Sequence, residues 1–377
     1  MEPNRTPPLP AELSDMTIDC LGNDVAALKA CCLTCRRWLP RARYLLFKTV
    51  VLDAGNCQAF NQLLGTSPYI ADLILRLDVS NLDTMSLLES MGPTADPIPT
   101  KSACVVTLVP CTAARCFKFL EELHLVGCTV PNVAAFASLF CYFPCLKTLY
   151  VHDLRLSHGG NGDDLADLNG VLPLPRMTLQ SVQFSYAPRV ARGFIQWLFS
   201  KSLHTQIRTL KFPILQHEDV LVANKILEDL GPRLQRLYIT LGEGDGDLLP
   251  TFTGLSHCTA LRTLIFTSLR LVPHVRRPLD RPRLEWVPVL LSQVYSLHLY
   301  HVSFRVRAGG ASLADLHELD WARIGDVLSG ERFKGLQRVS IQIVNGTSVK
   351  ENIVPFIQTR MSGLEDRGIT RYYHHMV

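Results

Sequence analysis

The sequence predicts an α/β chain in which three short N-terminal helices precede strand–helix units stacked side by side on a curved parallel sheet. Three observations carry this. An L-x-x-L-x-L pattern, with aliphatic or aromatic substitutes, recurs nine times between residues 74 and 341. Segments of helical period lie between its copies. Before residue 48 the apolar residues recur at helical spacing only. With 377 residues, 47% of them hydrophobic and 19% charged, the chain has enough apolar surface for a large core, which excludes disorder.

Taking the elements in order, Pro7, Pro8 and Pro10 lead into AELSDMTIDCLG, where Leu13, Met16, Cys20 and Leu21 share helical spacing and Pro10 suits a first turn. Asn23 or Asp24 can cap a second helix, VAALKACCLTC, with Leu28, Cys31, Cys32 and Cys35 on one side. A third helix reads RRWLPRARYLLF. Three helices in about forty residues enclose too little apolar surface to stand comfortably alone, so something is expected to pack on them.

The clearest repeat copies are LEELHL at 120, LKTLYV at 146, LQSVQF at 179, IRTLKF at 207, LQRLYI at 234 and LRTLIF at 261. ILRLDV at 74, VYSLHL at 294 and LQRVSI at 336 are weaker. In the middle of the chain the starts lie 26 to 33 residues apart, close to the roughly 20 to 29 of leucine-rich repeats. Between them VPNVAAFASLFCYF, RVARGFIQWLF, EDVLVANKILEDL and LEWVPVLLSQV read as helices. A strand–helix unit cannot bury its apolar face alone, so the units must stack, and a leucine-rich-repeat horseshoe solenoid over residues 49–377 is expected. The stretches 92–103, 159–164 and 273–283 are rich in proline, glycine or polar residues and read as exposed loops.

The N-terminal residues resemble an F-box: LPAEL at 9–13, Ile18 and Leu21, ALKACCLTCRRW at 27–38, then Leu46 and Phe47. The likeness spans residues 8–48 and is closest to the form common in mushroom-forming fungi. Thr17 and Thr34 depart from it, standing where relatives often carry aliphatic residues. The resemblance implies that these helices bind a Skp-type adaptor, and through it a cullin, with Leu9, Pro10, Leu13, Ile18, Leu21, Leu33, Cys35 and Trp38 as contacts or their support. The chain would then be the substrate-recognition subunit of a ubiquitin ligase, contributing proximity rather than catalysis. The same residues also fit a helical cap on a repeat array, which would make the protein a non-catalytic leucine-rich-repeat scaffold.

Because strand side chains alternate, the variable positions of the motif are expected on the face opposite the core. The central ones are Asp78, His124, Tyr150, Gln183, Lys211, Tyr238, Ile265, His298 and Ser340; Arg76, Glu122, His152, Arg236, Tyr300 and Arg338 flank them. Of these, His124, Tyr150, His152, Lys211, Arg236, Tyr238, His298, Tyr300 and Arg338 are the expected contacts of an unidentified protein substrate. Tyrosine and arginine are frequent interface anchors. The charged residues from Lys211 onward, Lys211, Arg236 and Arg338, are all positive, which fits an acidic or phosphorylated target and equally an ordinary solvated strand face with scattered charges. HVRRPLDRPR at 274–283 offers a second basic segment.

Other functions are not expected. A net charge of +4 is too near balance for a dedicated nucleic-acid binder. The N-terminus lacks the apolar run of a secretion signal and no stretch reaches membrane-spanning length, so the cytoplasm or nucleus is expected. The twelve cysteines form no compact framework, and Cys104, Cys128, Cys141, Cys145 and Cys258 read as reduced core residues. Cys32 and Cys35 have CxxC spacing without a second pair. Glu243, Asp245 and Asp247 start like a calcium loop, but its twelfth position is Gly254. His374 and His375 stand near a terminus. No enzyme motif occurs, and neither a cofactor nor a metal is expected.

Overall fold

A computed structural model of the protein describes residues 10–81, 117–140, 143–157, 178–214, 217–241, 251–271, 284–308, 313–344 and 350–375. The predicted loops at 92–103, 159–164 and 273–283, the acidic residues Glu243, Asp245 and Asp247, and Leu9 fall outside them. The chain divides into two compact units, residues 1–178 and 179–377. Each is a mixed α/β structure built on a parallel sheet.

In the first unit, helices α1 (Ala11–Asp19), α2 (Val25–Thr34) and α3 (Leu39–Phe47) precede the first strand. Pro10 opens α1, and the Asp24 carboxylate accepts the Ala27 N–H at 3.0 Å to cap α2. Pro40 occupies the first turn of α3, where its missing N–H costs nothing. Ile18, Leu28 and Ala42 form a small core, with Leu21, Cys31, Cys32, Trp38, Leu45 and Leu46 packed against it. The inner face of α1 differs from the expected one. Ser14 and Ile18 are buried, while Leu13, Met16 and Cys20 are exposed. Ser14 tolerates burial because its hydroxyl donates to the Pro10 carbonyl at 3.2 Å. Arg41 donates twice, at 2.6 Å each, to the Asp19 carboxylate, fastening α3 to the end of α1 and lowering the Asp19 pKa.

Strand β1 (Thr49–Leu52) leads to α4 (Cys57–Thr66), β2 (Arg76–Ser80), β3 (Glu122–Val126), the short β4 (Thr129–Val130), α5 (Val133–Leu139), β5 (Thr148–His152) and the short β6 (Arg155–Leu156). β1, β2, β3 and β5 pair in parallel in that order, and β4 pairs with β6. Leu77 and Val79, Leu123 and Leu125, and Leu149 and Val151 point into the core at matching positions. A residue with positive φ follows each of β2, β3 and β5: Asn81 (53°), Gly127 (62°) and Asp153 (51°). Asn, Asp and Gly are the types that accept this conformation at least cost. At Gly127 a Cβ would also meet the Asn81 side chain at 2.5 Å.

The second unit runs β7 (Ser181–Ser185), α6 (Pro188–Ser200), β8 (Thr209–Ile214), α7 (His217–Leu230), β9 (Arg236–Leu241), β10 (Thr263–Arg270), α8 (Trp286–Ser292), β11 (His301–Arg307), α9 (Trp321–Ser329), β12 (Arg338–Val344), α10 (Lys350–Arg360), α11 (Ser362–Asp366) and β13 (Thr370–His375). Its seven strands pair in sequence order and in parallel. Phe184 meets Phe194 of α6 at 5.8 Å. Phe266 stacks on Phe304 at 5.4 Å, and Phe304 meets the edge of Trp321 at 6.0 Å. On β9 and β10 the buried register partners Thr240 and Thr267 bond to each other through their hydroxyls, which satisfies both polar groups.

The parallel strands share one main-chain device. The Lys48 carbonyl accepts from the N–H groups of both Leu75 and Arg76 at 2.9 Å, and the Leu75 carbonyl accepts likewise from Glu121 and Glu122. In the second unit Gln180, Arg208, Gln235, Arg262 and Tyr300 repeat it, each taking two consecutive N–H groups of the next strand's approach. This register corrects the sequence reading at the eighth motif. VYSLHL at 294 is not a strand; the strand is His301–Arg307, with Val302, Phe304 and Val306 as its buried apolar positions and Leu299 buried just before it. β1 and β13 also lie outside the nine motifs. β1 reads TVVL, and β13 presents Thr370 and Tyr372 where its neighbour has Val339 and Ile341.

Candidate functional site

The residues expected to contact an adaptor divide into two groups. Ile18 is buried, and Leu21 and Trp38 pack on the helical core, so these three support the surface. Pro10, Leu13, Leu33 and Cys35 are exposed. Leu33 is 88% exposed, Leu13 47%, and the neighbouring Met16 and Val25 62% and 52%. Large apolar side chains held in water each gain by being covered. The Thr17 and Thr34 hydroxyls donate to the carbonyls of Leu13 and Ala30, one helical turn back, at 2.7 and 2.8 Å. Each is therefore satisfied within its own helix.

In the first unit the strand register brings Asp78, His124 and Tyr150 into one row, with Arg76 and Glu122 beside them. Arg76 grips the Asp78 carboxylate with Nε at 2.9 Å and Nη2 at 3.1 Å, and approaches Glu122 at 3.6 Å. His124 lies 3.5 Å from Asp78, its ring 5.3 Å from that of Tyr150, and Tyr150 stacks on His152 at 6.5 Å. Burial, then the Arg76 charge, lowers the His124 pKa against the pull of Asp78 and Glu122. The face is an acid–base network whose charges are answered internally.

The second unit differs. Its sheet aligns Gln183, Lys211, Tyr238, Ile265, Ser303 and Ser340 in one row. Thr209, Arg236, Thr263, His301 and Arg338 form the next. Arg305 and Arg307 follow along β11. Strands β7 to β13 contain no Asp or Glu. The ion pairs of Arg192 with Glu218 and Asp219, and of Lys334 with Glu331, lie on helices and turns. Among the described residues no carboxylate pairs with Lys211, Arg236, Arg307 or Arg338.

No protein-family model and no curated protein sequence matches this chain. The reading of the surface therefore rests on its own chemistry. Lys211 is the deepest cation of the face; burial pushes its pKa down to about 8, and repulsion from Arg305 and Arg307 adds to the shift. His301, bonded to the Ser340 hydroxyl at 3.0 Å, has its pKa lowered by burial and by Arg338 and Arg236.

Two expected members leave this face. His298 lies in the turn before β11 rather than on a strand, and its place in the central row belongs to Ser303. Tyr300 stands at the entry of β11, exposed, where its carbonyl accepts from Gln337 and Arg338. His301, Arg305 and Arg307, which the motif reading passed over, take part instead. The signal that finds them is the alternative frame LYHVSF, five residues downstream of VYSLHL.

The cysteines require a further correction. Cys57, Cys128 and Cys258 are buried, but Cys145 is exposed, and Cys104 and Cys141 lie outside the described residues. Cys35 is exposed and Cys32 half-buried. Among the described residues no three His, Cys, Asp or Glu gather to hold a metal ion, and no helix is long and apolar enough to cross a membrane.

Proposed function

We propose that the chain is the substrate-recognition subunit of a Skp-cullin-F-box type ubiquitin ligase. In this reading α1–α3 dock on the Skp-type adaptor, and the strand–helix units, taken as the leucine-rich repeats of a solenoid, select the target. The observation that carries the proposal is the exposed apolar surface of Leu13, Met16, Val25 and Leu33 on helices whose own core holds only Ile18, Leu28 and Ala42 as fully buried members. Covering it would return apolar area to a dry environment at about 25 cal/mol per Å². Thr17 and Thr34 do not oppose docking, because their hydroxyls already have partners in their own helices.

The test is co-expression of the chain with a Skp-type adaptor and cullin from one source, alongside Leu13→Asp and Leu33→Asp variants. Both positions are exposed, so the variants are expected to fold. Stoichiometric capture of the adaptor by the wild type alone supports the ligase role. A folded wild-type chain that captures no adaptor overturns it and leaves a repeat scaffold with a helical cap.

A further inference from the structure

We infer that the sheet face of the second unit binds an extended acidic peptide segment whose carboxylate or phosphoryl groups recur about every four residues. The inference rests on the preceding section only in taking this face as the target-binding surface.

The spacing follows from the register. Arg236, Thr263, His301 and Arg338 are register partners on four adjacent strands. Arg236 and Arg338 are thus separated by three inter-strand steps of about 4.8 Å, roughly 14 Å in all. An extended peptide advances about 3.4 Å per residue, so groups four residues apart span the same distance. His301 lies between the two arginines, Lys211 stands in the bordering row, and Arg305 lies two rows further along β11. Guanidinium groups favour carboxylate and phosphate because their planar fork gives paired donors.

The electrostatics agree. Ordinary surfaces intersperse the two signs of charge, whereas the seven strands carry cations and no acid. Lys211 is flanked by Gln183 on β7 and Tyr238 on β9, and the charges acting on it come from Arg305 and Arg307 on β11. All are neutral or positive. An incoming anion would relieve that repulsion and favour protonation of Lys211. Nucleic acid is the less suitable anion, because single-strand binding relies on aromatic platforms between the basic groups, and along these two rows only Tyr238 is aromatic besides His301.

The full chain would be titrated by fluorescence anisotropy, at neutral pH and low ionic strength, with three labelled peptides of about twelve residues, roughly 40 Å when extended. One carries Glu at every fourth position, one phosphoserine and one Gln; an oligodeoxythymidine of matched charge is the fourth probe. The Glu or phosphoserine peptide is expected to bind and the Gln peptide not. A Lys211→Ala, Arg236→Ala, Arg338→Ala variant should lose about tenfold or more in affinity, and Arg155→Ala, which removes an exposed arginine of the first unit, should lose none. Affinity should also fall as pH rises through about 8, where free Lys211 loses its proton, and Lys211→Arg should abolish that dependence. Equal binding of the Gln peptide, an undiminished triple variant or tighter binding of the oligonucleotide each overturns the inference. Adaptor capture is read separately: peptide binding without capture removes the ligase assignment and leaves this inference standing, and capture without peptide binding does the reverse.

Discussion

The two sheets present the same backbone and opposite electrostatic designs. In the first unit Arg76 is held by Asp78 and lies near Glu122, with His124 against the same acids. In the second unit Lys211, Arg236 and Arg338 occupy comparable outward positions with no acid on any strand. A charge answered inside the fold contributes to holding that fold together, while an unanswered one raises the energy of the free protein and lowers it on meeting a partner. The contrast separates a face whose charges are paired within the fold from one whose strands carry cations without acids, which the proposed function makes the recognition face, although both grow from one sequence motif.

The comparison supposes that the basic face rests on a rigid core, so the largest expected effect lies beneath it. Phe304 is fully buried between Phe266 and Trp321. Phe304→Ala should cost about 3–5 kcal/mol, read by urea unfolding; a loss below about 1 kcal/mol would mean that the layer repacks freely and the face is not held firmly. The next test strikes the contrast itself. Asp78→Ala leaves Arg76 and His124 without the nearer of their two acids and should cost about 1 kcal/mol, given partial exposure of the pair. Arg338→Ala should be neutral within about 0.5 kcal/mol, or stabilising. Equal losses in the two variants would erase the distinction.

A further effect is a pH slope. With its folded pKa near 8 against an unfolded value near 10.5, Lys211 binds its proton less tightly in the native state. Between those values the unfolded chain holds more protons, so stability should rise with pH; below about 8 the full penalty is present. Lys211→Met should flatten the slope in unfolding curves taken across that window. An unchanged slope would place its origin elsewhere.

Much of the fold is legible in the sequence because an alternating core side chain leaves a two-residue signature. Asp78, His124 and Tyr150 stand in one register row, as do Gln183, Lys211, Tyr238 and Ile265, as the motif implies. The eighth motif misleads because Val294, Leu297 and Leu299 fit the pattern as well as Leu299, Val302 and Phe304 do. Periodicity alone cannot separate two frames that share Leu299; packing does, leaving Leu297 81% exposed. That ambiguity hides His301, Arg305 and Arg307, the part of the basic face on β11. β13 escapes for another reason, since Thr370 and Tyr372 fill aliphatic positions and the strand is recognised only by pairing with β12. In α1 the burial of Ser14 depends on a side chain satisfying itself on its own helix, which no hydrophobic period records.

The carbonyls of Lys48, Leu75, Gln180, Arg208, Gln235, Arg262 and Tyr300 each take two N–H groups from the following strand's approach. This seam is written entirely in peptide atoms. Its acceptor positions already hold a cation, an aliphatic residue, amides and an aromatic residue, and its donor positions exclude only proline. Joints of that kind leave side chains free to drift between lineages while the strands stay aligned, so kinship among such chains is better sought by superimposing backbones than by comparing letters.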